Sequence, residues 1–91
     1  MIYGVYAMRD VKTGFLAPTV EVNDMAAIRN FNHAVLHSDG LLSSFAGDFA
    51  LYKIATFDSD SAVVVPLVPI AHLAEATDAL LSAGNASGGV V

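Results

Sequence analysis

The chain has 91 residues, 55% hydrophobic and 14% charged, with a formal net charge of −5 from nine acidic and four basic side chains. This composition excludes a disordered polymer, which needs low hydrophobicity and high charge, and its sign argues against generic attraction to a phosphate backbone. Cysteine is absent, which removes disulfide and thiolate chemistry and fits a reducing cytoplasm.

So much apolar surface is hard to bury in one small core, and self-association is its natural outlet; a homo-oligomer is expected. One domain is expected over residues 1–84, with a flexible C-terminal tail at 85–91. The opening MIYGVYAMRD lacks the basic-then-apolar build of a signal peptide. The longest apolar run, Ala62 to Ala71, is broken by Pro66 and Pro69 and falls well short of the about 20 residues of a membrane helix. No membrane association is expected.

In chain order, residues 2–9 are rich in apolar and aromatic side chains (Ile2, Tyr3, Val5, Tyr6, Ala7, Met8) and read as a strand. Asp10 to Gly14 supplies turn chemistry, and Phe15 to Val22 resumes the strand pattern. Pro18 cannot donate to a ladder, which puts it at an edge or a bulge. Asn23 and Asp24 mark a helix start, the first as a cap and the second at the positive end of the dipole. Ala27, Ile28, Phe31, Ala34 and Val35 form one stripe of a helix over Asp24 to His37. Ser38-Asp39-Gly40 ends it, with Gly40 suited to a left-handed cap.

Leu41 to Gly47 reads as a connecting loop anchored by Leu42 and Phe45. Asp48 to Phe57 and Ala62 to Val68 read as the third and fourth strands, the latter peripheral because of Pro66. A second helix is expected over Ala71 to Ala83, with Leu73, Thr77, Leu80 and Leu81 on one side and Gly84-Asn85 as its stop. The order is ββα-ββα. It implies an α+β fold in which a four-stranded antiparallel sheet carries both helices on one face.

Between the last two strands lies FDSDS. Asp58 and Asp60 suit half of a magnesium site, but such sites enlist further carboxylates or phosphates. As turn residues that fold back onto their own backbone they need nothing else. His33 and His37 stand four apart on the first helix, as zinc ligands do, yet only His72 remains as a third histidine and no glutamate follows His33. No GxSxG elbow, phosphate-binding glycine loop, zinc ribbon or RNA-binding sheet signature is present. No catalytic residue, metal ligand or cofactor is assigned, and the chain reads as a non-enzyme.

What remains is a set of basic and aromatic residues: Arg9, Lys12, Arg29 and Lys53, with Tyr6 and Tyr52 as stackers. Tyrosines beside cations on an exposed sheet form a platform for single-stranded nucleic acid. The same tyrosines serve equally as core or interface residues, and the lone cations as plain surface.

The stretch VYAMRDVKTGFLAPTVEVNDMAAIRNF, residues 5–31, resembles the start of the small nonstructural protein of gokushoviruses, single-stranded DNA phages of the microvirus family. The shared features are a short strand, an Arg-Asp turn, a proline-containing phrase and a helix start carrying Asn23, Asp24, Ala27, Arg29 and Phe31. A second block, DFALYKIATFDSDSA (48–62), is similar to that family in its acidic-aromatic entry, Leu51-Tyr52 pair and Phe57-Asp58 turn. Two departures stand out: Phe45-Ala46-Gly47-Asp48 replaces a His-Pro-Glu-Asp-like phrase, and Ala55 replaces a glycine. The resemblance implies a non-virion phage protein made in the host bacterial cytoplasm. It also implies a role in single-stranded DNA binding or in replication and packaging, without agreed functional residues. A protein-interaction module that meets a phage replication or assembly protein is the alternative, which the acidic charge favours.

Overall fold

The computed structural model describes residues 1–37 and 40–82. Its sheet is antiparallel throughout and has five strands: β1 (Ile2–Asp10), β2 (Gly14–Phe15), β3 (Thr19–Glu21), β4 (Phe49–Asp58) and β5 (Val64–Glu75). The spatial order is β2-β1-β4-β5, with β3 continuing the β2 edge of β1. Helix α1 (Asp24–His37) connects the first hairpin to the second, through a short helix α2 (Leu41–Ser44) and a 3₁₀ turn at Ala46–Asp48. Residues 76–82 are again helical, and we call them α3.

The first hairpin follows the sequence closely. Gly14 has φ +102°, the left-handed geometry that closes a turn after Asp10. Asp10 also accepts the Lys12 amide (2.9 Å) and the Thr13 hydroxyl (3.2 Å). The expected second strand is split in two. The Leu16 amide still donates to the Met8 carbonyl at 2.8 Å, but Pro18 has no amide to give, and the regular strand lapses between β2 and β3.

Helix α1 spans the residues expected. The Asn23 side chain accepts the Ala26 amide at 2.8 Å, which places it at the N-cap. Ala27, Phe31 and Val35 are buried, with Ile28 packed beside them. Burying the larger two contributes about 1.5–3 kcal/mol each.

The rest departs from expectation at definite places. Leu41 to Gly47 is not an open loop but the two short helical turns. Leu42 packs on the core whereas Phe45 is exposed, so the anchor at this point is Ala46 rather than the aromatic ring. β4 begins one residue late, at Phe49, because Asp48 closes the 3₁₀ turn.

The larger correction is to the second helix. Ala71 to Glu75 belong to β5, paired with Ala50, Leu51, Tyr52 and Lys53, and helix begins only at residue 76. The Ala71-Leu73 spacing suits helix and strand alike, and the long partner β4 decides in favour of the strand. The Ser38-Asp39 stop, Ala83, the Gly84-Asn85 stop and the 85–91 tail lie outside the described residues.

The core forms on one side of the sheet. Tyr6, Phe49 and Leu51 meet Ala27, Phe31 and Val35 of α1, Ala46 of the connection and Ala76 and Ala79 of α3. Both main helices therefore lie on the same face, as the ββα-ββα order implies. No described helix covers the opposite face.

Tyr6 is held by a local device. A side-chain carbon at Gly4 would overlap Oη and Cζ of Tyr6, so the ring lies directly over this glycine. That path brings the phenol to the Asp24 carboxylate, to which it donates a 2.6 Å hydrogen bond. Gly4→Ala is expected to destabilise the fold by about 1–3 kcal/mol, and Tyr6→Phe by about 1–2, through this hydrogen bond. Urea denaturation checks both values; a Gly4→Ala protein as stable as the parent contradicts the packing described.

Candidate functional site: the open sheet face

Paired residues in an antiparallel sheet share a face, and faces alternate along each strand. The registers Arg9↔Phe15, Ala7↔Tyr52, Arg9↔Ala50, Tyr52↔His72 and Ala50↔Glu75 thus put all these side chains on the face away from α1. On that face three rings form a row across the sheet. Phe15 meets Tyr52 edge-on with centroids 5.6 Å apart, and Tyr52 meets His72 edge-on at 5.3 Å. β1 runs between Phe15 and Tyr52, and the residue it presents opposite Tyr52 is the small Ala7, which is buried. A larger residue there would part the rings.

Arg9 stands beside Phe15, exposed, and Lys12 lies in the turn at the same end. Phe15 is 49% exposed, so its ring surface is open to a ligand. The His72 Nε2–H donates to the Glu75 carboxylate at 2.8 Å, which orients its ring.

The remaining residues singled out from the sequence go elsewhere. Tyr6 is 1% exposed and faces α1, so it anchors the core and has no face to offer a base. Lys53 is opposite Tyr6 on the helix-facing side and pairs with Asp24 at 3.0 Å. Arg29 is exposed on α1, beside Met25, His33 and Leu36, across the sheet from Arg9. Of the six residues, Arg9 and Tyr52 share this face; Lys12 lies in the adjoining turn beside Leu41, Phe45 and Asp48, and Tyr6, Lys53 and Arg29 do not join them.

Phe15 and His72 were missed. Phe15 was legible as the register partner of Arg9 across the Gly14 turn. His72 was hidden by reading residues 71–83 as helix.

FDSDS is a hairpin tip. The Asp58 amide donates to the Val63 carbonyl at 2.9 Å, the Ala62 amide to the Asp58 carbonyl at 2.7 Å, and the Asp60 amide to Asp58 Oδ1 at 2.9 Å. The Asp60 carboxylate also receives the Met1 ammonium at 2.9 Å. The Asp60 amide, with the Ser61 hydroxyl and the Met1 ammonium, holds the Asp58 carboxyl below its usual range. His33 and His37 stack with centroids 4.3 Å apart on α1. Among the described residues no group of three or more His, Asp or Glu side chains is placed to hold a metal ion.

A cleft of about 190 Å³ lies between α1 and the β1–β3 hairpin, lined by Met8, Leu16, Phe31 and Ala34 with Glu21 and Asn30 at its polar positions. Its walls are mostly apolar, and of its titratable lining groups Tyr6 and Glu21 the Tyr6 hydroxyl is committed to Asp24, so it offers packing space rather than chemistry. Among the described residues, no helix is long and apolar enough to cross a membrane.

Electrostatics concentrate at Tyr6, Asp24 and Lys53. The Tyr6 hydrogen bond and Lys53 hold the Asp24 carboxyl below its ordinary 3.8, against some burial. Burial, then Asp24, pushes the Tyr6 phenol well above its ordinary 10.0. The Asp24 contribution is present above the ordinary carboxylate pKa and is lost as pH falls through the lowered value. The Tyr6 contribution is present below pH 10.0 and is lost as pH climbs toward the raised value. Stability should therefore fall in strong alkali, and an absorbance titration should leave one tyrosine protonated well past pH 10.0. If every tyrosine ionises together near that pH, Tyr6 is not held as described.

No curated protein and no solved structure matches the chain. A family model does: it covers residues 3–79, from the first strand into α3, and is described as Phage ORF5 protein. With that match over most of its length, the chain belongs to the Phage ORF5 protein family.

Proposed function

We propose that this phage protein is a non-enzymatic accessory factor that binds single-stranded DNA during replication or packaging in the host bacterial cytoplasm. The observation that carries the reading is the Phe15–Tyr52–His72 row on an uncovered sheet face with Arg9 at its side. Bases stack on exposed rings whatever their sequence, because every base has a π-face. Arg9 and Lys12 supply the contacts to phosphate. The resemblance to gokushovirus nonstructural proteins supports the same reading.

The charge sets its strength. With Arg9 on the face, Lys12 in the adjoining turn and a net charge of −5, at most two phosphates are neutralised and binding is modest and non-specific. Two neutralised phosphates weaken single-strand affinity about sevenfold between about 50 and about 200 mM salt. A second reading is that the face meets a basic phage replication or assembly protein, which the net charge and the aliphatic part of the face favour.

Gel shift with labelled oligothymidylate tests the proposal. Binding should appear at micromolar protein in low salt, and Phe15→Ala or Tyr52→Ala should each weaken it at least about fivefold. Arg9→Ala should weaken it too and flatten the salt dependence. No shift at high micromolar protein in low salt overturns the DNA reading. Recovery from infected cells of a phage protein, without nuclease-sensitive DNA, then supports the second.

A further inference from the structure

The open face has two unlike halves. Arg9, Phe15, Tyr52, His72 and Glu75 lie toward one end of the strands. Toward the other end the registers Tyr3↔Phe57, Val5↔Val20, Ala55↔Pro66 and Phe57↔Val64 put only apolar side chains on the face. Val20 is 53% exposed and Val64 55% exposed, and no charged residue lies among them. This half carries the Tyr3 and Phe57 rings, but no described cation stands beside them to hold a phosphate, so the DNA reading leaves it without a role.

We infer that the aliphatic half is the interface of a homodimer: a second copy lays its own Tyr3, Val5, Val20, Phe57, Val64 and Pro66 on the same residues, face to face. Three observations select this partner. The first is edge chemistry. Pro66 and Pro69 deprive β5 of two amide donors, and Pro18 separates β2 from β3 on the other edge, so both edges are blunted against sheet continuation. The faces remain.

The second is self-complementarity. A two-fold axis lying in the interface and running across the strands maps the aliphatic half onto itself and leaves both aromatic ends overhanging, uncovered. A whole-face overlap would bury Arg9 and the ring row. The third is area. Strands about 4.8 Å apart and about five residues of 3.3 Å rise give roughly 300 Å² of plane per copy, or about 500 Å² of accessible surface with side-chain relief. Two copies together reach about 1,000 Å², the lower limit of a specific interface, and therefore form a weak, concentration-dependent dimer.

This dimer responds to salt in the opposite sense to DNA binding. Two copies of charge −5 repel at low ionic strength, and salt screens the repulsion without weakening the apolar contact. Sedimentation equilibrium should show a dimer with a midpoint on the order of 10–100 µM, tightening at least about threefold from about 50 to about 500 mM salt.

The double variant V20E/V64E should be monomeric throughout with an unchanged circular dichroism spectrum, since both sites are over half exposed. Should it lose that spectrum, V64E alone is measured in the same way. Phe15→Ala should leave the dimer intact. A monomer at about 500 µM in high salt, a dimer that survives these valine variants in folded form, or a dimer abolished by Phe15→Ala overturns the inference. An absent gel shift beside an intact dimer overturns the DNA reading alone.

Discussion

A sheet has two faces, and this chain spends its helices on one of them. α1, the short turns after it and α3 all pack against Tyr6, Phe49 and Leu51. The other face, four strands wide, has nothing described above it. Such a surface is expensive to leave in water, and its composition governs what the protein can do. Small Ala7, Ala50 and Ala55 are buried along its floor, while rings and branched side chains stand on it.

The closed face is organised by a short polar device. Gly4 makes room for the Tyr6 ring, Tyr6 reaches Asp24 at the first position of α1, and Lys53 of β4 reaches the same carboxylate. One acidic group thus ties β1, β4 and the helix N-terminus together, and its charge also suits the helix dipole. The consequence for function is subtractive. Tyr6 and Lys53 look like half of a nucleic-acid platform in the sequence, and they are consumed by the fold. Residues one step out of phase with them, such as Ala7, Arg9 and Tyr52, face outward instead.

That alternation explains what the sequence reveals and what it hides. The first hairpin, the Asn23 cap and the α1 stripe are local patterns, and they are legible because turn chemistry and 3.6-residue spacing need no partner. β5 is not local. Residues 71–75 carry a pattern compatible with helix, and they become strand because β4 is long enough to pair them. Misreading them hid His72, and with it the third ring of the row. Tyr6 and Tyr52 are indistinguishable by type; the register, including the irregularity between Val5 and Tyr6 opposite Ile54, decides which of them is buried.

The family match makes this a phage protein, and the uncovered face is the feature on which the proposed reading rests. The central claim is that contact with single-stranded DNA is made by the aromatic end of the open face. Amide and side-chain NMR shifts during titration with oligothymidylate test it most directly. The account predicts perturbations clustered at Arg9, Lys12, Phe15, Tyr52 and His72, with α1 residues such as Arg29 and His33 unmoved. Perturbations centred on α1, or none at saturating oligonucleotide, contradict it.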